Sequence, residues 1–297
     1  MELKNKNQIG IVTEEGADLP QEIIEKYQIA VAPIKMSWPE VETLPGENTF
    51  QKMREAEKRG INSFGKTSQP SLKDFLDKYQ YQLEKFDKVL CITLTSKLSG
   101  TYNSAIQAKN FLKPEDAKRV FVVDSLSVSA GEGLLILRAI DLIKQGKEIE
   151  EIVKDLERFV PQIHFFAIIE NSKWLEASGR ISSTVANWMK KAAKIGVRPL
   201  IGIKKGIVAP VGIKIGVKDI PTALFREFEA ETRKSRKAGK KIRVLITHGD
   251  DIEGAQKLKQ MIEKEFKDTE VVFLNLIDNV LGVLVGPDAL LLAWCEE

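Results

Sequence analysis

The apolar run Val89–Leu94 leads straight into Thr95-Ser96-Lys97-Leu98-Ser99-Gly100-Thr101, and a helical pattern through Ala105, Ile106 and Ala108 follows. An apolar run without polar alternation suits a strand buried on both faces, and such strands belong to parallel sheets covered by helices. A hydroxyl-rich turn between strand and helix is how these sheets build a ligand site at their carboxyl edge. Thr95, Ser96, Ser99 and Thr101 offer hydroxyls, and Gly100 lets the backbone approach a ligand closely. The helix start that follows favours an anion through its free N–H groups and its dipole. The turn holds neither carboxylate nor histidine, so it is suited to holding an anion rather than to acid–base work. The same hydroxyls also read as ordinary helix caps. Spacing alone leaves both readings open.

The rest of the first half repeats the alternation. Ile9–Thr13 reads as a strand. Asp18 reads as the N-cap of a helix with Pro20 in its first turn. Ile29–Met36 reads as the second strand, and Trp38–Asn48, with Pro39, Pro45 and Gly46, as a loop. Helices are expected over Thr49–Arg59, ending at Gly60, and over Pro70–Phe86, with Phe75, Leu76, Tyr79 and Leu83 on one face. A helix over Thr101–Phe111, a strand over Val120–Asp124, and helices over Gly133–Gln145 and Ile149–Val160 complete this half. The pattern predicts a doubly wound parallel sheet. Pro161 marks a boundary, giving an α/β domain over residues 1–161 and a second domain over 162–297.

The second half has a different rhythm. A strand is expected over His164–Ile169, a short helix from Lys173 to Glu176 that Gly179 ends, and a helix over Val185–Ala193. Val197–Ile203 and Ile207–Ile215 flank Lys204-Lys205-Gly206, a hairpin signature. A helix over Ile220–Lys237, then Arg243–Thr247, a helix over Ile252–Phe266, Val271–Leu276 and Leu281–Val285 follow. Hairpins among long helices predict an α+β domain with a more antiparallel sheet.

A second hydroxyl-rich stretch, Gly65-Lys66-Thr67-Ser68-Gln69-Pro70-Ser71, also precedes a helix, with Ser71 as N-cap and Asp74 placed to complete a capping box. Taken with Ser96-Lys97-Leu98-Ser99-Gly100-Thr101-Tyr102, it resembles the DegV family of bacterial fatty-acid-binding proteins. The resemblance continues through Val123-Asp124-Ser125, Gly131-Glu132-Gly133, Ser178-Gly179-Arg180-Ile181-Ser182 and Arg198-Pro199-Leu200, in order along nearly the whole chain.

The resemblance implies a two-domain fold, a parallel-sheet domain carrying the head-group motifs and a second domain housing an acyl tail. It implies a protein that holds a long-chain fatty acid with its carboxylate at the domain junction. It assigns the carboxylate to Thr67 and Ser99, with the Gly100 amide beside them, Ser68 and Ser96 in the same motifs, and Arg180 near the junction. An ordinary surface ion pair is the other reading of Arg180. A long-chain acid needs an apolar tunnel, worth about 0.8 kcal/mol per buried methylene, and donors for its charge. Some members hand the acid to a separate kinase. The alternative is the same fold binding a different apolar or anionic molecule. A third reading, an enzyme with Ser99 as nucleophile, has Lys97 as its one nearby base in sequence.

Three departures bear on the kinase partnership. Glu14, Glu15 and Gly16 stand where the family usually has Asp-Ser-Thr, which adds negative charge where the first strand ends. Gly216 and Leu284 stand where an Arg and a His are usual, on the polar surface around the carboxylate end. Delivery to a fatty-acid kinase is therefore in doubt.

Composition excludes other classes. With 45 basic and 42 acidic residues the net charge is +3, which does not suit a nucleic-acid binder. No stretch has the length of a membrane span. The polar Met1–Gln8 has no signal-peptide core. Cys91 and Cys295 make no disulfide framework, so a reducing, cytoplasmic setting is the default. His164 and His248 lack metal-ligand spacing, and no metal, cofactor or catalytic residue is expected.

Overall fold

The structure, a computed structural model, describes residues 8–297 apart from 195, 196 and 218. The polar start of the chain, residues 1–7, lies outside it. The first apolar run forms β1 (Ile9–Glu14), followed by a 3-10 turn over Glu15–Ala17. Helix α1 (Gln21–Lys26) begins after Pro20 with no side-chain cap. Asp18 is not that cap. It stands at φ 50° behind the 3-10 turn, and its carboxylate accepts from the Ser129 hydroxyl and from the Asp278 amide at 2.7 Å. Donors from two distant segments hold it where a local cap was expected.

The run Ile29–Met36 divides in two. β2 (Ala30–Ala32) lies beside β1, whereas β3 (Lys35–Ser37) leaves that sheet. Pro33 between them has no N–H to continue a ladder. The expected loop Trp38–Asn48 contains one helical turn, α2 (Pro39–Glu42), with Pro39 at its start. Helix α3 (Thr49–Lys58) is capped by Asn48, whose Oδ1 accepts from the Gln51 amide at 2.9 Å. β4 (Lys66–Ser68) pairs antiparallel with β3 and puts Thr67 opposite Met36.

Helix α4 (Leu72–Lys85) opens with the expected capping box between Ser71 and Asp74 and buries Phe75, Tyr79 and Leu83. Then come β5 (Lys88–Thr93), α5 (Thr101–Asn110), α6 (Pro114–Ala117), β6 (Val120–Asp124), α7 (Ala130–Lys144) and α8 (Ile149–Phe159). The order β2-β1-β5-β6 is parallel throughout. The chain winds one way from β1 to β2 and the other way from β5 to β6. The switch point therefore falls between the carboxyl ends of β1 and β5.

The second half contains β7 (His164–Ile168), α9 (Lys173–Ala177), α10 (Ser183–Lys194), β8 (Arg198–Lys204), β9 (Ile207–Lys214), α11 (Ile220–Lys237), β10 (Ile242–His248), α12 (Ile252–Glu265), β11 (Thr269–Leu276), α13 (Asn279–Val285) and β12 (Leu290–Glu296). The six-stranded sheet runs β11-β10-β12-β7-β8-β9, parallel between β10 and β11 and antiparallel elsewhere. The chain is thus mixed α/β, with one parallel sheet and one more antiparallel sheet. Leu281–Val285 lies in a helix, capped by Asp278, whose Oδ1 accepts from the Val280 and Leu281 amides. The last strand, β12, falls where no element was expected. It sits in the middle of its sheet and is buried from Leu290 to Cys295.

Helix α7 joins the layers. Its residues are buried almost throughout, from Ala130 to Leu142, as suits a helix apolar on every side. It packs against β5 of the first sheet and against β10 and β12 of the second. One continuous core runs through it, from Leu90 and Ile92 to Leu245 and Leu291.

Candidate functional site

A cavity of 440 Å³ opens where the carboxyl edge of the parallel sheet meets one face of the six-stranded sheet. Gly16, after β1, and Leu94, after β5, line it, so it lies at the switch point. Phe165 and Ala167 of β7, Ile201 and Ile203 of β8, and Leu291 of β12 form its apolar floor. These alternate positions face one way because strand side chains alternate. Helix α13 supplies Val280, Leu281, Leu284 and Val285. α13 lies close on α3: a Cβ on Gly282 would stand 2.8 Å from the Phe50 ring.

One end of the cavity is polar. Thr67, Ser68, Gln69, Ser99, Gly100 and Arg180 line it together. Strand β4 carries Thr67 and Ser68, the turn before α5 carries Ser99 and Gly100, and the segment after α9 carries Arg180. Ser96 does not line the cavity. Its amide is turned to the Asp124 carboxylate, with oxygens at 3.2 and 3.3 Å.

Arg180 is half-buried and is the one charged side chain on the cavity wall among the described residues. Its Nη1 donates to the Ser178 carbonyl at 2.6 Å and its Nη2 to the Thr67 hydroxyl at 3.1 Å. Burial lowers its pKa from the usual range. No carboxylate is paired with it among the described residues. The Ser99 hydroxyl lies 2.8 Å from that of Thr101 and accepts from the Thr101 amide at 3.3 Å. Gly100 lies close against the Gln69 side chain: a Cβ at this position would fall 2.0 Å from Gln69 Oε1. Gln69 in turn donates to the Ser104 hydroxyl at 3.1 Å. Lys97, the base considered for Ser99, is exposed and outside the cavity lining.

Of the departures noted in the sequence, Leu284 lies on the cavity wall. Gly216 is exposed at φ 65° with open space around it and does not line the cavity. Glu15 is exposed and accepts from the Ile34 amide at 2.8 Å. Glu14 is buried, and burial raises its pKa to about 8. Glu132 on α7 is raised well above the ordinary carboxyl range, by burial and then by the charge of Glu14. Asp18 and Asp278 are also raised, chiefly by burial. The sequence reading missed this acidic group and Gln69. The Asp278-Asn279 pair before an apolar run is an N-cap signal that could have marked α13.

The comparisons with known proteins agree with this architecture. A family model described as an uncharacterised protein family, DegV, matches residues 8–297. A fatty acid-binding protein of Thermotoga maritima is 32% identical over 292 residues, covering 94% of each chain. A DegV family protein from Thermus thermophilus, its solved structure described by fatty acid binding, superposes with a TM-score of 0.80 at 25% identity, covering 97% of this chain and 99% of its own. DegV of Bacillus subtilis, described as a fatty acid binding protein, superposes with a TM-score of 0.77 at 26% identity, over 97% and 99% of the two chains. The chain belongs to the DegV family.

Proposed function

We propose that this protein holds a long-chain fatty acid, with the acyl tail in the apolar cavity and the carboxylate at Thr67, Ser99, Gly100 and Arg180. The observation that carries the reading is Arg180, a half-buried guanidinium on the wall of a mostly apolar cavity with no carboxylate paired to it among the described residues. A ligand with one anionic end and a long apolar body supplies what that wall lacks. The hydroxyls are arranged to donate. Thr67 accepts from Arg180, which leaves its hydrogen for a ligand. Ser99 accepts from the Thr101 amide and shares a hydrogen bond with the Thr101 hydroxyl in which either oxygen can donate, and with Thr101 as donor the Ser99 hydrogen turns to the ligand.

The Thermotoga, Thermus and Bacillus relatives are each described as binding fatty acid. Binding rather than catalysis is the role proposed, since among the described residues Arg180 is the one titratable side chain on the cavity wall with Ser99. The division into domains at Pro161 and a cytoplasmic setting belong to this proposal. The Cys91 and Cys295 thiols are free and buried. Among the described residues no helix is long and apolar enough to cross a membrane.

The test is extraction of freshly purified protein and identification of the released ligand by mass spectrometry. A long-chain acid in near-stoichiometric amount supports the reading. A different compound, or no uptake of added palmitate, overturns it.

A further inference from the structure

Behind the cavity wall at Gly16 and Leu94 lie two carboxyls with no cation paired to them among the described residues. Glu14 ends β1 and Glu132 sits in the first turn of α7, and both are buried. The Thr13 hydroxyl donates to Glu132 Oε1 at 3.0 Å, and the Leu94 amide approaches Glu14 Oε1 at 3.4 Å. The second oxygens, Glu14 Oε2 and Glu132 Oε2, have no donor. The two side chains are within hydrogen-bonding reach of each other. Two ionised carboxylates cannot occupy such a place together. Protons on the carboxyls supply the missing donors, and the first negative charge appears when Glu14 loses its proton.

The surroundings offer no alternative. Asp278, before α13, faces Glu14, and Asp18 faces Glu132. Cys91 of β5 lies near both, its thiol pushed well up by burial and therefore neutral, with the neutral Tyr79 of α4 beyond it. β2 presents Ala-Val-Ala. Glu15 is exposed and acts on Asp278. Every charged or titratable group named here is an acid, a thiol or a phenol.

The pair reaches the ligand site through the backbone. Gly16 and Leu94 both line the cavity. The Leu94 amide points to Glu14, and a Cβ on Gly16 would lie 3.3 Å from Glu14 Oε1. Leu94 also begins the segment that carries Ser99 and Gly100. A charge on Glu14 is therefore felt at the stretch of cavity wall that Gly16 and Leu94 form.

We propose that capture of an anionic ligand is proton-coupled, the cavity accepting the ligand's carboxylate while the Glu14–Glu132 pair keeps its proton and releasing it when the pair ionises. This rests on the fatty-acid reading above. With Glu14 titrating near pH 8, the transition lies within ordinary buffers. By linkage, a bound anion makes the proton harder to remove, so binding near pH 8 draws a proton from the buffer onto Glu14.

The experiment is calorimetric titration of the full chain with palmitate at pH 7, 8 and 9, in two buffers of different ionisation enthalpy. Affinity is expected to fall roughly tenfold from pH 7 to pH 9. At pH 8 the heat is expected to depend on the buffer, reporting fractional proton uptake. Glu14→Gln should remove both effects. Glu132→Leu removes the partner whose hydrogen bond holds Glu14 down and should move the transition to higher pH. Neutral 1-hexadecanol should bind wild type with no pH dependence. Equal palmitate affinity at pH 7 and 9, or buffer-independent heat at pH 8, overturns the inference with wild type alone. A pH dependence that persists in Glu14→Gln also overturns it. No palmitate binding at any pH overturns the fatty-acid reading itself, and this inference with it.

Discussion

Arg180 donates to the Thr67 hydroxyl at 3.1 Å, across a sequence separation of 113. The bond ties the segment after α9 to strand β4 and sets both groups on one cavity wall. It makes Arg180 a positioning group for Thr67 as well as a counter-ion for a ligand. Thr67→Val and Ser99→Ala should each weaken binding of a fluorescent fatty acid by about 1–3 kcal/mol, because each leaves a carboxylate lone pair without its donor. Arg180→Gln should cost at least as much, since a charged donor is lost. Unchanged affinity in all three variants would move the carboxylate elsewhere.

Acyl length is the second measurable. Each methylene that fits should add about 0.8 kcal/mol of ligand-linked stability. The gain should stop when the 440 Å³ cavity is full, and a longer chain should then lose affinity through strain. Thermal shifts across a series of saturated acids would show a rise and a maximum. A flat series would mean that the tail lies outside this cavity.

Helix α13 depends on a close approach. A Cβ on Gly282 would stand 2.8 Å from Cζ of the buried Phe50 ring. Gly282→Ala should therefore displace α13 or Phe50 and cost about 1–3 kcal/mol of stability. Because α13 lines the cavity, palmitate affinity should fall in the same variant. Urea denaturation and titration of one preparation would test both, and a variant as stable as wild type would show that the helix yields freely.

Stability should also depend on pH, with a definite sign. Glu14 titrates near 4.5 when unfolded and near 8 when folded. Between these values the folded chain holds a proton that the unfolded chain has released. Stability is then greatest on the acid side of that window and falls as pH rises, by about 1.4 kcal/mol per pH unit for each retained proton. Glu132 and Asp18, also raised, add in the same direction. Denaturation midpoints at pH 5.5, 7 and 8.5 should descend, and Glu14→Gln should lessen the slope. A stability that rises over this range would refute the retained proton on Glu14.

Much of this architecture is written in local pattern. The apolar runs of β1, β5 and β6 and the hairpin of β8 and β9 are legible because strand period and turn chemistry are local properties. The capping box of Ser71 and Asp74 is legible for the same reason. Asp18 was misread because its partners, Ser129 and Asp278, come from far along the chain. Local apolar pattern joins β3 to β2, and Pro33, which lacks an N–H, is the break between them. α13 escaped because a short apolar run can be helix or strand until its neighbours are known. At the site, the polar end has a motif to mark it, whereas the apolar floor is spread over several strands whose residues look like any core. The meeting of Glu14 with Glu132 depends on α7 crossing between the sheets, which no local pattern records.

The last prediction concerns transfer of the bound acid. Making an acyl phosphate requires a carboxylate oxygen exposed to a kinase and stabilisation of the charge that develops there. Lost hydrogen-bonding groups therefore cost rate more than ground-state binding. Leu284 lines the cavity and can neither donate nor take a proton. Gly216 lies off the cavity at φ 65°, where a side chain carries backbone strain of about 1 kcal/mol. The wild-type complex should thus be a poor acyl donor to a fatty-acid kinase while holding its ligand well. Leu284→His should raise the rate of acyl-phosphate formation more than it raises palmitate affinity, and Gly216→Arg should do less. The assay is acyl-phosphate formation with a purified fatty-acid kinase and palmitate-loaded protein. Fast phosphorylation of the wild-type complex, or an unchanged rate in Leu284→His, would show that this side chain does not limit transfer.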